Sequence, residues 1–145
     1  MLINTKYHEQ LEVYEQEVLH FQDGIPGFLQ EKEFVLLSLA EEIQVLQSIT
    51  TRDIAFVVIN PFIAYKEYDF TLDDKTIEQL KIDKAENVQV YTIMHVKDPF
   101  HKSTVNLAAP VVVNVVNRKG KQVILQKTNY SIRTQLPELA LGQKG

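Results

Sequence analysis

The chain has 145 residues, 45% hydrophobic and 23% charged, with a formal net charge of −4 and no cysteine. That length suits one domain burying roughly 70% of the surface it exposes when unfolded, and the composition is that of a folded chain rather than a disordered one. The missing cysteines exclude disulfide scaffolds, thiolate nucleophiles and cysteine zinc sites.

The opening reads as a hairpin. "LINTK" and "QLEVYE" alternate apolar with polar residues across a short "YHE" connection, so Leu11 and Val13 face inward and Glu12 outward. "VLHF" follows as a third short strand, then "DGIPGF", Asp23 to Phe28. Gly24 and Gly27 can take positive φ, while Pro26 fixes its own φ and holds Ile25 extended, which makes a stiff reversal. A phosphate-cradling loop would need more glycines, a lysine and a following helix. Phe28 has two readings, a core side chain or an aromatic anchor for a partner.

"FVLLSL", "QVLQSIT" and "IAFVVIN" are three further strands, and Pro61 ends the last because it cannot donate to a ladder. The spacing predicts an antiparallel sheet that curls or closes. One short helix is expected at "DDKTIEQLKI", with Asp73 as N-cap, Leu72 stapled to Ile77, and Ile77 and Leu80 as its apolar edge. The last third returns to strands: "NVQVYTIMHV", "APVVVNVV" with Pro110 at its start, the turn "NRKG", and "KQVILQ". Gly120 is placed for the left-handed position of that turn. The fold class is therefore mainly β, a small antiparallel barrel-like single domain with one short helix. It is expected over residues 1–136, with a flexible tail at 137–145.

The longest apolar run, "LAAPVVV", is far short of the roughly 20 residues a spanning helix needs. The N-terminus lacks the basic and apolar regions of a secretory signal, so no membrane association and a cytoplasmic location are expected. Charge is uneven: −7 over residues 1–42, −3 over 43–96 and +6 over 97–145. Acids that share a face would repel nucleic acid and attract a basic partner at long range; the other reading is an ordinary solvated surface.

Candidate chemistry is sparse. His95, Asp98 and His101 fall within "HVKDPFH", but nothing nearby completes a metal site, and they read as groups flanking a turn. Ser38, Ser48, Ser103 and Ser131 lie outside any nucleophile elbow, and the acid pairs Glu41/Glu42 and Asp73/Asp74 sit in turns or caps where carboxyls stay solvated. No enzyme, cofactor or metal is expected. An oligonucleotide-binding barrel is the alternative: Arg118, Lys119 and Lys121 with Tyr130 and Arg133 would track a strand and stack a base, against an acidic total that disfavours phosphate. "NPFIAYKEYDF" gathers Phe62, Tyr65, Tyr68 and Phe70 without alternation, so part of the cluster should be exposed as a partner surface, or else cap the barrel end. The candidate contacts are Phe62, Tyr65, Tyr68, Asp69, Phe70 and Leu72.

An ordered set of stretches resembles the flagellar assembly factor FliW family. They are "TKY" (Thr5–Tyr7), "DGIPGF" (Asp23–Phe28), "FVLL" (Phe34–Leu37), "LQSIT" (Leu46–Thr50), "IAFVVINPF" (Ile54–Phe62) and "AAPVVVNVVNRKGKQVIL" (Ala108–Leu125). Family members more often carry a glycine after the tyrosine, where this chain has His8, so the first turn departs from the pattern. The resemblance implies a small β-barrel without catalysis, a monomer when free, that binds flagellin. When flagellin is exported, it binds and antagonises the translational repressor CsrA without touching nucleic acid itself. On that reading Glu9, Glu12, Glu15 and Glu17 act electrostatically, excluding RNA from the bound repressor.

Overall fold

The structure is a computed structural model and describes residues 1–137. The expected flexible tail lies, past Pro137, outside the described residues.

The first hairpin forms as its alternation predicts. β1 (Leu2–Asn4) and β2 (Gln10–Glu12) pair antiparallel, with Ile3 opposite Leu11. Ile3 and Val13 are buried against Val35, and the Lys6 amide donates to the Gln47 side-chain oxygen at 3.0 Å. These contacts seat the hairpin on the main sheet.

That sheet is built from β3 (Leu19–His20), β4 (Glu33–Ala40), β5 (Ile43–Ser48), β6 (Ala55–Ile59), β7 (Val88–His95), β8 (Thr104–Val105), β9 (Val111–Asn114), β10 (Lys119–Gln122) and β11 (Thr134–Gln135). Its order is β11-β8-β7-β6-β5-β4-β3-β10-β9, and β9 returns to pair with Val88–Tyr91 of β7. The sheet thus closes on itself as a barrel, the arrangement that leaves fewest open edges. Closure corrects one expectation: β3 and β10 pair parallel, through His20 and Lys119, so the barrel is not wholly antiparallel. The two-residue strands β8 and β11, which no alternation announces, extend the sheet from the end of β7.

Leu19, Phe21, Ile25, Phe34, Leu46, Val58, Val111 and Val113 fill one core, with Phe21 and Phe34 edge to face at 5.3 Å. Val57 and Ile59 alternate with Val58 yet are also buried, in a second cluster with Tyr68, Met94 and Val105. Likewise Val112 lies under Leu80. Cover on both faces is why these strands read as unbroken apolar runs.

The DGIPGF corner has Gly24 and Gly27 at φ of 68° and 90°. Ile25 takes the core position; Phe28 stays 41% exposed and sets its edge on Phe56 at 5.3 Å. The β9–β10 hairpin corrects another expectation. Arg118, not Gly120, is the left-handed residue, at φ 63°. Gly120 pairs with Val113, and a Cβ there would stand 2.6 Å from the Phe21 ring, so close approach is what requires glycine. β9 also stops short, leaving Val115 and Val116 in the turn.

The expected helix is α2 (Asp74–Gln79), whose N-cap Asp73 accepts from the Thr76 amide at 2.8 Å. A second helix was not expected. Pro61 does end β6, but it also opens α1 (Pro61–Ala64), with Asn60 accepting from the Phe62 amide at 2.9 Å.

Glu31 ties the corner to the β5–β6 turn. Its carboxylate accepts from the Ser48 hydroxyl at 2.5 Å and the Thr51 hydroxyl at 2.8 Å. The Ser48 bond, helped by Thr51 and Thr50 and opposed by desolvation, holds the carboxyl below the usual glutamate range. A depressed folded pKa gives stability that is present above the unfolded pKa and lost as pH falls through the folded one. The expected result is a parent protein that loses melting temperature below about pH 4.3 more steeply than Glu31→Gln does. Parallel pH profiles for the two would refute the assignment.

Candidate functional site

The aromatic segment predicted as a partner surface is organised by α1. Pro61 at the first helical position and the Asn60 cap turn the chain sharply after β6, which leaves Phe62 and Ile63 exposed at 44% and 55%. Phe62 stacks on Phe70 at 6.2 Å and 13°. Together with Leu72, Ile77, Ile82 and Val88 they line an open, largely apolar groove of about 530 Å³, with Asp83 beside it. Leu72 and Ile77, the expected staple pair, are two of its walls.

The other predicted contacts have different places. Tyr68 is only 5% exposed; its hydroxyl donates to the Leu107 carbonyl at 2.8 Å, and its ring touches Phe62, Phe70 and Tyr130. It is the pedestal on which the exposed rings rest. Burial pushes its phenol well up, with Tyr130 adding to the shift. Tyr65 is half-buried, donates to the Gln135 carbonyl at 2.9 Å, and is pushed up to about 12 by burial. Asp69 is exposed, its backbone held by the Tyr130 hydroxyl at 2.9 Å. Phe62, Phe70 and Leu72 therefore share the groove, with Tyr65 and Tyr68 beneath or beside it. Sequence reasoning missed Ile63, Ile77, Ile82 and Val88. The apolar edge of α2 was a signal for Ile77 alone.

Tyr130 answers the base-stacking alternative. Its ring packs 4.7 Å from Tyr68, and it is not a free platform. Arg118 is likewise engaged, donating to the Glu17 carbonyl at 3.1 Å.

Glu9, Glu12, Glu15 and Glu17 are all exposed, on the first hairpin and the 3-10 turn (Glu15–Glu17) that follows it. Glu12 meets the Met1 amino group at 2.7 Å, and Glu17 accepts from the Tyr14 amide at 2.9 Å. This hairpin packs on β4, whereas the aromatic segment packs on β6 to β9, so acids and rings are carried by different strands. Among the described residues no three histidines or acids converge on a metal position.

A barrel closed by a parallel β3–β10 seam, with a capped aromatic turn on its outside, has close counterparts. The model of the family described as FliW protein matches residues 2–136. The chain belongs to the FliW family. The flagellar assembly factor FliW of Bacillus subtilis (strain 168) is 47% identical over 135 residues, covering 92% of this chain and 94% of that protein. The one from Geobacillus thermodenitrificans (strain NG80-2) is 48% identical over 137 residues, covering 94% and 95%. A crystal structure of the flagellar assembly factor FliW superposes with a TM-score of 0.92 at 47% identity, over 97% of this chain and all of that one. In this FliW-family chain "DGIPGF" and "LQSIT" face each other: Glu31, just past the first motif, binds Ser48 and Thr50 of the second.

Proposed function

We propose that this protein is a flagellar assembly factor, without enzymatic activity or cofactor, that switches between two protein partners. It binds newly made flagellin in the cytoplasm. When flagellin is exported it binds CsrA instead and relieves repression of flagellin synthesis. The observation that carries this reading is the match along residues 2–136 to proteins named flagellar assembly factors. The absence of a helix long and apolar enough to cross a membrane among the described residues agrees with it. So does an open apolar groove flanked by rings, suited to packing against protein.

Its test is retention of purified flagellin and purified CsrA on the immobilised protein. Failure to retain either at low salt would end the proposal. The proposed contact segment runs from Phe62 to Leu72, with Phe62, Asp69, Phe70 and Leu72 as its contacts, half-buried Tyr65 at its side and buried Tyr68 supporting the rings. Phe62→Ala is expected to weaken one partner by about 2 kcal/mol, roughly thirtyfold, at an unchanged melting temperature. A folded variant with full affinity for both partners would remove the segment from the interface.

The exposed glutamates are proposed to act on RNA at a distance. Exposed charges reach about 8 Å at physiological salt, so Glu9, Glu12, Glu15 and Glu17 must lie near the RNA path on bound CsrA. Reversing all four charges is expected to reduce RNA displacement more than it reduces CsrA binding. Equal displacement by parent and variant at low salt would leave only steric or conformational exclusion.

A further inference from the structure

The seam that closes the barrel is short. β3 ends at His20, its single register partner on β10 is Lys119, and β10 continues to Gln122. Past that pair Gln22 and Asp23 turn away into the corner, where the Gly24 amide bonds back to the Phe21 carbonyl at 2.9 Å. Among the described residues no strand lies beside Lys121 and Gln122 on that side. A cavity of about 270 Å³ opens there, lined by His20, Gln22, Asp23, Gln79, Lys119 and Lys121 among others.

Its charge runs against that of the molecule. Lys119 and Lys121 share the outer face of β10, with Gly120 between them turned toward Phe21. Both are half-buried, and neither meets a carboxylate among the described ion pairs. The Lys121 ammonium donates to the neutral side-chain oxygen of Gln79, and Asp23 is the sole acid in the lining. In a chain of net charge −4, two half-buried lysines sit here with no carboxylate in direct contact. Asp73 at the N-cap of α2, whose carboxyl the Thr76 hydrogen bonds hold below the usual range, lies near enough for Lys121 to help.

We infer that the cleft where β3 leaves β10 docks an extended, acidic segment of a protein partner. Alternate residues of an extended strand repeat every ~6.8 Å, so carboxylates at alternate positions of such a segment match the spacing of Lys119 and Lys121. The edge of β10 offers main-chain groups for the same segment to pair with. A nucleic-acid strand fits less well. It needs a continuous basic track, and here Asp23 lines the cavity while Glu33 stands 3.7 Å from His20. The inference stands whether or not flagellin or CsrA is a partner.

The probe is a short fluorescein-labelled peptide alternating glutamate with threonine, read by anisotropy. A peptide of the same composition with its glutamates contiguous, an oligouridylate and inorganic phosphate are run beside it. Saturable binding of the alternating peptide is expected, weakening with salt and falling about tenfold or more in the Lys119→Glu/Lys121→Glu double variant. That variant should instead take a lysine–threonine peptide. In the parent protein the glutamate peptide should shift the amide resonances of Gln22, Lys121 and Gln122, a readout that holds even if the double variant fails to fold. Absence of saturable binding, unmoved resonances along that edge, equal affinity in a folded double variant, or preference for contiguous glutamates, oligouridylate or phosphate overturns the inference.

Discussion

Gly24→Ala is expected to lower stability by about 3 kcal/mol, a fall of roughly 6–12 °C in melting temperature for a domain of this size. Two effects combine. At φ 68° an alanine pays the left-handed backbone strain, about 1–2 kcal/mol. Its Cβ would also stand 2.4 Å from the Leu29 carbonyl oxygen, which is backbone and cannot rotate aside. Gly27→Ala is the internal control: φ is 90°, but nothing lies within 4 Å of the added carbon. It should lose only the strain, about 1 kcal/mol. Thermal melts of the two variants side by side decide the matter, and equal losses would show that the Leu29 contact relaxes freely.

Gln47→Leu should destabilise by a similar amount, about 3 kcal/mol, through polar groups rather than packing. Gln47 is fully buried. Its amide nitrogen donates to the Arg52 carbonyl at 3.0 Å and the Ser48 carbonyl at 3.1 Å, and its oxygen accepts from the Lys6 amide at 3.0 Å. Leucine keeps the bulk and leaves those groups without their partner. Because Lys6 belongs to the first hairpin's connection, the loss should be local as well as global. Hydrogen exchange is expected to quicken at the Lys6 amide while amides within β4 and β5 stay protected. Uniform quickening across the barrel would mean that the residue does not specifically anchor the hairpin.

What could be read from the sequence was whatever depends on near neighbours. The alternation of β1 and β2, the apolar runs of β4 to β6 and the Asp73 cap of α2 all rest on periods of a few residues, and each element stands where its pattern placed it. Gly120 was misread because its reason for being glycine is Phe21, far away along the chain, while the local turn offered a plausible substitute reason. β8 and β11 are two-residue strands that exist only because β7 pairs with one and that one with the other. The aromatic segment was visible as a cluster, but not which rings would be covered. Tyr68 is buried in part by Tyr130, whose hydroxyl also fixes Asp69 across 61 positions, and no local pattern carries that information.

The parallel seam also sets a schedule for synthesis. β4 to β7 are joined by successive antiparallel pairings and can assemble as they leave the ribosome. β3 cannot complete its place until β10 arrives, and the Arg118 bond to Glu17 spans 101 positions. At translation speeds of about 5–20 residues per second, Phe21 waits on the order of 5–20 seconds for Gly120 to emerge. During that interval the nascent chain carries an open barrel, and until β10 emerges the Phe21 ring lacks the strand that covers it.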